Sequence, residues 1–229
     1  MKNTLQKNKV DQFLQLNKSF INGQWVEGHG NETVTISNPY NNETLTEVKI
    51  ASKQQLEKAY EDAEKAHVEW GKDAALRKEV FQKDTEFFVN HKEEIIHLLA
   101  IETGSAPFKA ALEYNITLGA FEAYSSIIDK AYEKCRPEQE FMPGKVNEIH
   151  RLPLGVISSI APFNFPLYLS LRGILPALAL ENAVVHKADI QVGIVSGSLI
   201  AKAFEEAGIP AGVFSSILTT PQEIGDLML

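Results

Sequence analysis

The sequence contains only one cysteine, Cys135, and has few positive charges relative to its negative ones. A single cysteine excludes an internal disulfide framework. The net charge of −8 argues against nucleic acid as the main partner, because phosphate binding requires a basic face. No apolar run approaches the roughly 20 residues that a transmembrane helix needs, and the first residues lack the apolar segment of a signal peptide. We therefore expect a cytoplasmic protein with neither a nucleic-acid nor a membrane partner.

The sequence also lacks the common motifs for metals and nucleotide phosphates. Its six histidines show no H-E-x-x-H or other metal-binding spacing, so no metal site is predicted. Neither a G-x-G-x-x-G nor a Walker pattern occurs. The glycines at 208 and 212 are explained by a helix C-cap that is followed by a proline stop.

The 229 residues, of which 44% are hydrophobic, are enough to bury a sizeable core. The first half begins with short strand patterns, including a hairpin whose turn is Asn22-Gly23. Four helical patterns follow; a capping box of Ser52 and Gln55 starts the first, and Asn90 is expected to cap the third. These helices are predicted over residues 52–71, 74–89, 92–102 and 107–132.

From residue 154 onward, strand and helix patterns alternate. Strands are predicted over 155–160, 183–186 and 213–218, and helices over 166–180, 193–207 and 221–229. Such alternation implies a parallel sheet with right-handed crossovers, so the predicted fold class is α/β, with a Rossmann-like parallel sheet and flanking helices. The last helix pattern reaches residue 229 without a capping signal, which indicates an interrupted domain.

Two polar residues follow successive strands of this β-α-β unit. Asn164 lies in a proline-bracketed turn after the first strand, and Lys187 follows the second. Ligands of open α/β sheets bind at this edge, and an amide with an ammonium there favours a site for an oxyanion and for a nucleotide ribose or phosphate. The plainer alternatives are an Asx turn for Asn164 and a solvated strand end for Lys187. Cys135 is far from both in sequence and is interpreted as a bystander.

With these residues identified, the chain resembles the N-terminal part of the NAD(P)-dependent aldehyde dehydrogenase superfamily. The most specific match is Arg-Leu-Pro-Leu-Gly-Val at 151–156 followed by Ala-Pro-Phe-Asn-Phe-Pro at 161–166. Phe163 and the Lys-Ala-Asp at 187–189 resemble the benzaldehyde or aromatic aldehyde branch. Further similar segments lie at 20–25, 36–40, 102–104, 182–187 and 204–212.

The resemblance implies roles for individual residues. The asparagine that matches Asn164 is the oxyanion donor, and the lysine that matches Lys187 bonds the adenosine ribose of NAD or NADP. Asp189 is expected to reach the same ribose. The backbone that lines the cofactor crevice corresponds to Ile160, Ala161, Pro162 and Phe163.

The resemblance also divides the chain. Residues 1–134 correspond to the N-terminal part of the cofactor-binding domain, with its hairpin and helices. Residues 135–153, rich in turn signals, correspond to a protruding oligomerisation arm, which implies a homo-oligomer. Residues 154–229 correspond to a truncated Rossmann-like segment, so the resemblance implies an incomplete aldehyde dehydrogenase fold.

The departures from the family pattern concern catalysis. The family's catalytic cysteine, general-base glutamate and F-T-G-S phosphate turn come later than residue 229, and Cys135 matches none of them. The complete enzyme would oxidise a small aldehyde to an acid through a cysteine thiohemiacetal, and this chain alone is expected to be inactive. Two further departures are Glu181, where the family usually has a glycine, and Ala188, where it usually has a proline.

Three alternative functions remain open for this chain. It could be a non-catalytic dinucleotide-binding module, an interaction module whose arm pairs with a sheet edge, or an acyl-phosphate or acyl-CoA reductase.

Overall fold

A computed structural model describes residues 10, 12–129, 144–145 and 150–229 of the chain. Its first elements are the antiparallel strands β1 (Ser19–Ile21) and β2 (Gln24–Val26). Asn22 and Gly23 join them with positive φ angles of 51° and 74°, as expected for a tight hairpin turn. Strands β3 (Thr33–Ser37) and β4 (Thr44–Lys49) form a separate two-stranded sheet.

Four helices follow in the order that the sequence predicts. The capping box of Ser52 and Gln55 at the start of the first is confirmed. The expected cap by Asn90 is wrong, because Asn90 is the last residue of the second helix and His91 precedes the third without a side-chain cap. The fourth helix ends at Ser125, and turns occupy 126–129. These helices are α1 (Lys53–Lys72), α2 (Ala74–Asn90), α3 (Lys92–Thr103) and α4 (Pro107–Ser125).

The second half alternates strands and helices, as predicted. The expected helix over 193–207 begins instead as a π-helical segment, and a 3₁₀ turn at 190–192 precedes it. The expected helix over 221–229 is wrong beyond residue 224, because Gly225 takes a positive φ of 57° that ends it. The elements are β5 (Val156–Ile160), α5 (Pro166–Ala179), β6 (Ala183–Lys187), the 3₁₀ turn Ile190–Val192, the π segment Ile194–Ser198, α6 (Leu199–Ala207), β7 (Phe214–Ile217) and α7 (Pro221–Ile224).

Within the described residues, the main sheet has five strands in the order β2-β1-β7-β6-β5. Strands β5, β6 and β7 are parallel, which confirms the α/β prediction with its Rossmann-like sheet. The N-terminal hairpin extends this sheet, because Phe20 of β1 pairs antiparallel with Ser216 of β7. The sequence did not indicate that pairing, which joins residues about 200 positions apart.

Helices cover both faces of the sheet. On one face, α1 packs Leu56 and Ala63 into a cluster with Val185 and Ile217. On the other face, α2 to α6 contribute a larger core that contains Phe88, Phe121, Leu171, Phe204 and Phe214. The carboxyl ends of β5 and β6 therefore project from a sheet whose two faces are both packed.

The predicted oligomerisation arm at 135–153, with Cys135, lies largely outside the described residues, of which it contains only 144–145 and 150–153. Among the helices that the structure does describe, none combines the length and apolar character that a membrane crossing requires.

Candidate functional site

The ends of β5 and β6 lie side by side. Ile160, the last residue of β5, is in register with Lys187, the last residue of β6. The N–H of Ala161 donates to the carbonyl oxygen of Lys187 at 3.2 Å, so the pairing continues into the turn. The segments that carry Asn164 and Lys187 thus leave the sheet from neighbouring positions at one edge.

Asn164 lies in the turn between β5 and α5. Its side chain is exposed, and within the described residues no hydrogen bond engages it, so the Asx-turn alternative is not realised. Pro166 occupies the first turn of α5, where its fixed φ suits a helix start. Ala161 is buried, whereas Pro162 and Phe163 are exposed beside the amide. The Asn164 amide is therefore presented to solvent with its donors free.

Lys187 is buried, with 8% of its surface exposed, so the solvated-lysine alternative is wrong. Its Nζ donates to the carbonyl oxygen of Ala188 at 3.3 Å. Burial lowers the pKa of Lys187, and the negative charge of Asp189 opposes that shift. A partly desolvated ammonium that makes one long hydrogen bond within the described part of the chain retains donors for a ligand.

Asp189 follows Lys187 at the start of the 3₁₀ turn. Its Oδ1 accepts the backbone N–H of Gln191 at 3.0 Å, so this carboxylate caps the turn. The side chain is half-buried and leaves its second oxygen without such a bond among the described contacts. The structure thus gives Asp189 a local structural role next to Lys187.

The start of α5 holds a carboxylate from another helix. Glu113 of α4 is fully buried, and its Oε1 accepts the N–H groups of Leu167 at 2.9 Å and Tyr168 at 3.3 Å. The ammonium of Lys109 lies 2.9 Å from the other oxygen, Oε2. A negative charge at this position complements the positive end of the helix dipole.

The start of the π segment is capped in the same way. Glu102 of α3 accepts the N–H of Ile194 through Oε1 at 2.9 Å and that of Val195 through Oε2 at 2.8 Å. Burial raises the pKa of Glu102 to about 8, while the two N–H donors oppose this shift. Helix N-termini commonly bind nucleotide phosphates, but both helix starts that follow β5 and β6 are already filled by the protein's own carboxyl groups.

His186, next to Lys187 on β6, links three elements. Its Nε2 lies 3.0 Å from the carbonyl oxygen of Ser196, and its Nδ1 lies 3.0 Å from the Oγ of Ser159. Since a carbonyl only accepts, Nε2 carries the proton and Nδ1 accepts from the serine hydroxyl. Burial lowers the pKa of His186 to about 4, so the imidazole is neutral near pH 7. The strand that carries Lys187 is thereby tied to β5 and to the π segment.

Sequence reasoning missed the roles of Glu102, Glu113 and His186. The one local signal was a glutamate at a core-facing position of a helix, as in α4, where Glu113 lies beside the buried Ala110, Tyr114 and Thr117. Such a glutamate in a buried stripe indicates an internal partner, because buried charges require one. The partner itself could not be identified from the pattern.

The described part of the site can bind and polarise a ligand, but it contains no attacking group. Across the described residues, no cluster of three or more His, Cys, Asp or Glu could hold a metal ion. The one thiol of the sequence, Cys135, lies outside those residues. The amide of Asn164 and the ammonium of Lys187 are therefore the functional groups that this edge offers.

Comparison with known proteins gives one consistent result. The model of the Aldehyde dehydrogenase family matches residues 25–229. AldY of Bacillus subtilis strain 168 is 47% identical over 219 residues, which cover 95% of this chain and 45% of AldY. Vanillin dehydrogenase of Corynebacterium glutamicum is 40% identical over 210 residues, which cover 91% of this chain and 43% of that protein.

Solved structures agree with these sequence matches. The crystal structure of an NAD-dependent benzaldehyde dehydrogenase from Corynebacterium glutamicum superposes with a TM-score of 0.86 at 38% identity, covering 93% of this chain and 46% of that one. The chain therefore spans less than half of the length of each of these relatives.

Proposed function

We propose that this chain, which belongs to the aldehyde dehydrogenase family, forms the cofactor-binding part of an enzyme that oxidises aldehydes to carboxylic acids with NAD or NADP. The observation that carries the proposal is the pairing of Ile160 with Lys187, which brings a free amide and a buried ammonium to one sheet edge. Cofactors of doubly wound sheets bind in the crevice at this edge.

Lys187 is the proposed ligand of the adenosine ribose. Its ammonium is partly desolvated and, among the described residues, makes only a 3.3 Å bond to the Ala188 carbonyl, so its remaining donors suit ribose hydroxyls. Asp189 is the proposed second partner of the same ribose, through the carboxylate oxygen that does not accept from Gln191. The backbone proposed to line the crevice is that of Ile160, Ala161, Pro162 and Phe163.

The residues present fit the ribose better than the phosphates. Glu102 and Glu113 fill the two helix starts, and their carboxyl oxygens already accept the backbone N–H groups that would otherwise bind a phosphate. The cofactor phosphates are therefore assigned to a part of the fold outside this chain. When bound, NAD or NADP supplies the hydride acceptor.

Asn164 is the proposed oxyanion donor. Its exposed amide has no competing hydrogen bond within the described structure and can donate to the substrate carbonyl oxygen as negative charge develops. One such donor is typically worth about 10²–10³ in kcat. The nucleophile that attacks the carbonyl carbon comes from a cysteine outside this chain.

The proposed substrates are small aromatic aldehydes. Two of the similar proteins are named for such substrates, a vanillin dehydrogenase and a benzaldehyde dehydrogenase. The proposal includes a cytoplasmic location, a homo-oligomer formed through the 135–153 arm, and the division into 1–134, 135–153 and 154–229.

Cofactor binding by the chain itself tests this proposal. Calorimetry or ligand-observed NMR with NAD⁺ should detect weak binding, because the phosphate contacts are missing, and Lys187→Met should weaken it about tenfold, which is the loss of one hydrogen bond of about 1.4 kcal/mol. Lys53→Met, at the exposed start of α1, is the control and should bind as the wild type does. Equal binding by the wild type and Lys187→Met would refute the ribose assignment. Turnover of vanillin or benzaldehyde by this chain alone would refute the assignment of the nucleophile.

A further inference from the structure

Asp84 is a buried acid at the centre of the packed face of α2. It is fully buried, and the helix places it on the same face as the buried Val80, Phe81 and Phe88. Neither of its carboxyl oxygens has a hydrogen-bond partner among the described residues. An ionised carboxylate without a partner in an apolar interior is so costly that the group takes up a proton instead.

The other buried acids in the described part of the chain all have partners. Glu102 and Glu113 accept backbone N–H groups of other elements. Asp62 forms an ion pair within α1, and Glu94 also has an interaction partner. Among these described acids, only Asp84 has both oxygens unpaired, so neither helix capping nor ion pairing explains its burial.

The surroundings of Asp84 are apolar. The buried face of α2 packs against α6 and, to a smaller extent, against α4. Ile200 and Phe204 of α6 belong to the same core cluster as the apolar residues of α2. From α4, the ring of Phe121 lies 5.1 Å from that of Phe88, measured between centroids. A charge on Asp84 would therefore lie inside a helix–helix interface without access to water.

The charged groups of α2 and α6 are engaged elsewhere or exposed. Arg77 of α2 donates to carbonyl oxygens at the end of α1 and pairs with Glu181. The other charged residues of α2, apart from Asp84, are exposed. On α6, Lys202 pairs with two glutamates of its own helix.

The titratable groups on the remaining neighbours of α2 are also engaged. Tyr114 of α4 donates to a backbone carbonyl oxygen of α2 at 3.0 Å, and Glu113 holds the start of α5. His91, between α2 and α3, packs against an aromatic ring of α2, and Lys72 at the end of α1 pairs with a glutamate of α1. No charge among the described residues therefore offsets the burial of Asp84, and this burial raises its pKa well above the usual range of an aspartate.

We propose that Asp84 is a neutral carboxylic acid in the folded protein and acts as a pH-sensitive switch at the interface between α2 and α6. While it is protonated, the core tolerates the group. Loss of the proton leaves an unpaired negative charge between two helices, and this charge reaches water only when the helices separate. A rise in pH therefore opens the interface. The switch concerns the core of the fold and does not depend on the proposed function.

The direction of the effect follows from the protons bound in each state. In the open state Asp84 has an ordinary pKa of about 3.9, whereas in the closed state its pKa is raised. The closed state binds more protons between these two values. Its contribution is fully present below about pH 3.9 and is lost as pH rises toward the raised pKa, so that the opening equilibrium constant grows about tenfold per pH unit.

Hydrogen exchange followed by mass spectrometry tests the switch. Opening constants for α2 and α6 are measured from about pH 5 to 7 in the wild type and in Asp84→Asn, which has the same shape but does not titrate. The ratio of wild-type to variant constants should rise about tenfold per pH unit. Glu102, whose pKa is about 8, titrates in both proteins and cancels in this ratio. Glu86→Gln, at an exposed position of α2, is the control and should follow the wild type.

Infrared spectroscopy near pH 6 observes the proton itself. The difference spectrum between the wild type and Asp84→Asn should contain the carbonyl band of one protonated carboxyl group. Asp84→Ala also removes the carboxyl and replaces Asp84→Asn in both measurements if the latter does not fold. A constant ratio of opening constants from pH 5 to 7, or the absence of this band, would overturn the proposal. An equal pH-dependent loss of protection in α1 would also overturn it, because the whole fold would then open rather than the interface.

Discussion

Glu113 of α4 accepts the backbone N–H of Leu167 at 2.9 Å and so holds the start of α5, three residues after Asn164. The bond joins residues 54 positions apart and ties the turn that carries the amide to a helix on the packed face of the sheet. The position of the proposed oxyanion donor therefore depends on a buried carboxylate from another helix.

Replacing Glu113 by alanine should destabilise the fold. The change leaves the N–H groups of Leu167 and Tyr168 unpaired in a buried helix start, and hydrogen bonds to charged groups contribute about 1.5–3 kcal/mol. We expect the free energy of unfolding in urea to fall by about 2 kcal/mol. Glu122→Ala, at an exposed position of the same helix, should change it by less than about 0.5 kcal/mol. Similar losses in both variants would contradict the capping role.

The Glu181→Gly variant of the protein should be more stable than the Glu181→Ala variant. This residue has a φ of 68°, in the left-handed region, and its carboxylate pairs with the buried Arg77 at 3.2 Å. Both Glu181→Gly and Glu181→Ala remove the ion pair, but only glycine removes the steric cost of the left-handed conformation, about 1–2 kcal/mol. We expect thermal and urea denaturation to rank glycine above alanine by about 1 kcal/mol. The reverse order would show that the positive φ costs little at this position.

The main elements could be predicted from local patterns. Strands β5, β6 and β7 lie in short segments that contain apolar residues and are bounded by turn signals, and the sequence predicted each strand to within about one residue of its observed ends. Their parallel arrangement then put the segments after β5 and β6 at one edge. The positions of Asn164 and Lys187 follow from this local information alone.

The other features of the fold depend on contacts between residues that are far apart in the sequence. Such contacts produce no periodic pattern in the sequence. The π segment begins where Glu102, 92 residues away, accepts its first N–H groups. The N-terminal hairpin joins the sheet through a pair of residues in β1 and β7. The bonds of His186 to Ser159 and Ser196 likewise depend on three elements that meet only in the folded chain.

His186 should make stability depend on pH. Its pKa is about 4 in the folded protein against an ordinary 6.5, so the unfolded chain binds more protons between these values. The contribution of His186 to the free energy of unfolding is therefore fully present above pH 6.5. It falls by up to about 3 kcal/mol as the pH is lowered toward 4. His186→Gln keeps a donor and an acceptor but does not titrate, so the wild type should lose more stability than this variant as pH falls. His97→Gln, at an exposed position, is the control and should follow the wild type. A difference between wild type and His186→Gln that stays constant from pH 4 to 7 would contradict the neutral buried imidazole.

Substitutions of Asn164 and Lys187 should affect different kinetic constants in a complete enzyme. Such an enzyme can be obtained by fusing this chain to the part of AldY that follows the region of AldY matched by this chain. Asn164→Ala removes a donor that acts on developing charge, so kcat should fall about 10²–10³-fold while the Kd for NAD⁺ stays unchanged. Lys187→Met removes a ribose contact that is present throughout the reaction, so KM for NAD⁺ should rise while kcat at saturation changes little.

Asn90→Ala, at an exposed helix end, should leave both constants at wild-type values. Steady-state kinetics with vanillin or benzaldehyde, and NAD⁺ titration by fluorescence, measure the two effects separately. A rise in KM for NAD⁺ with unchanged kcat in Asn164→Ala would assign the amide to cofactor binding, and the sheet edge would then hold no oxyanion donor.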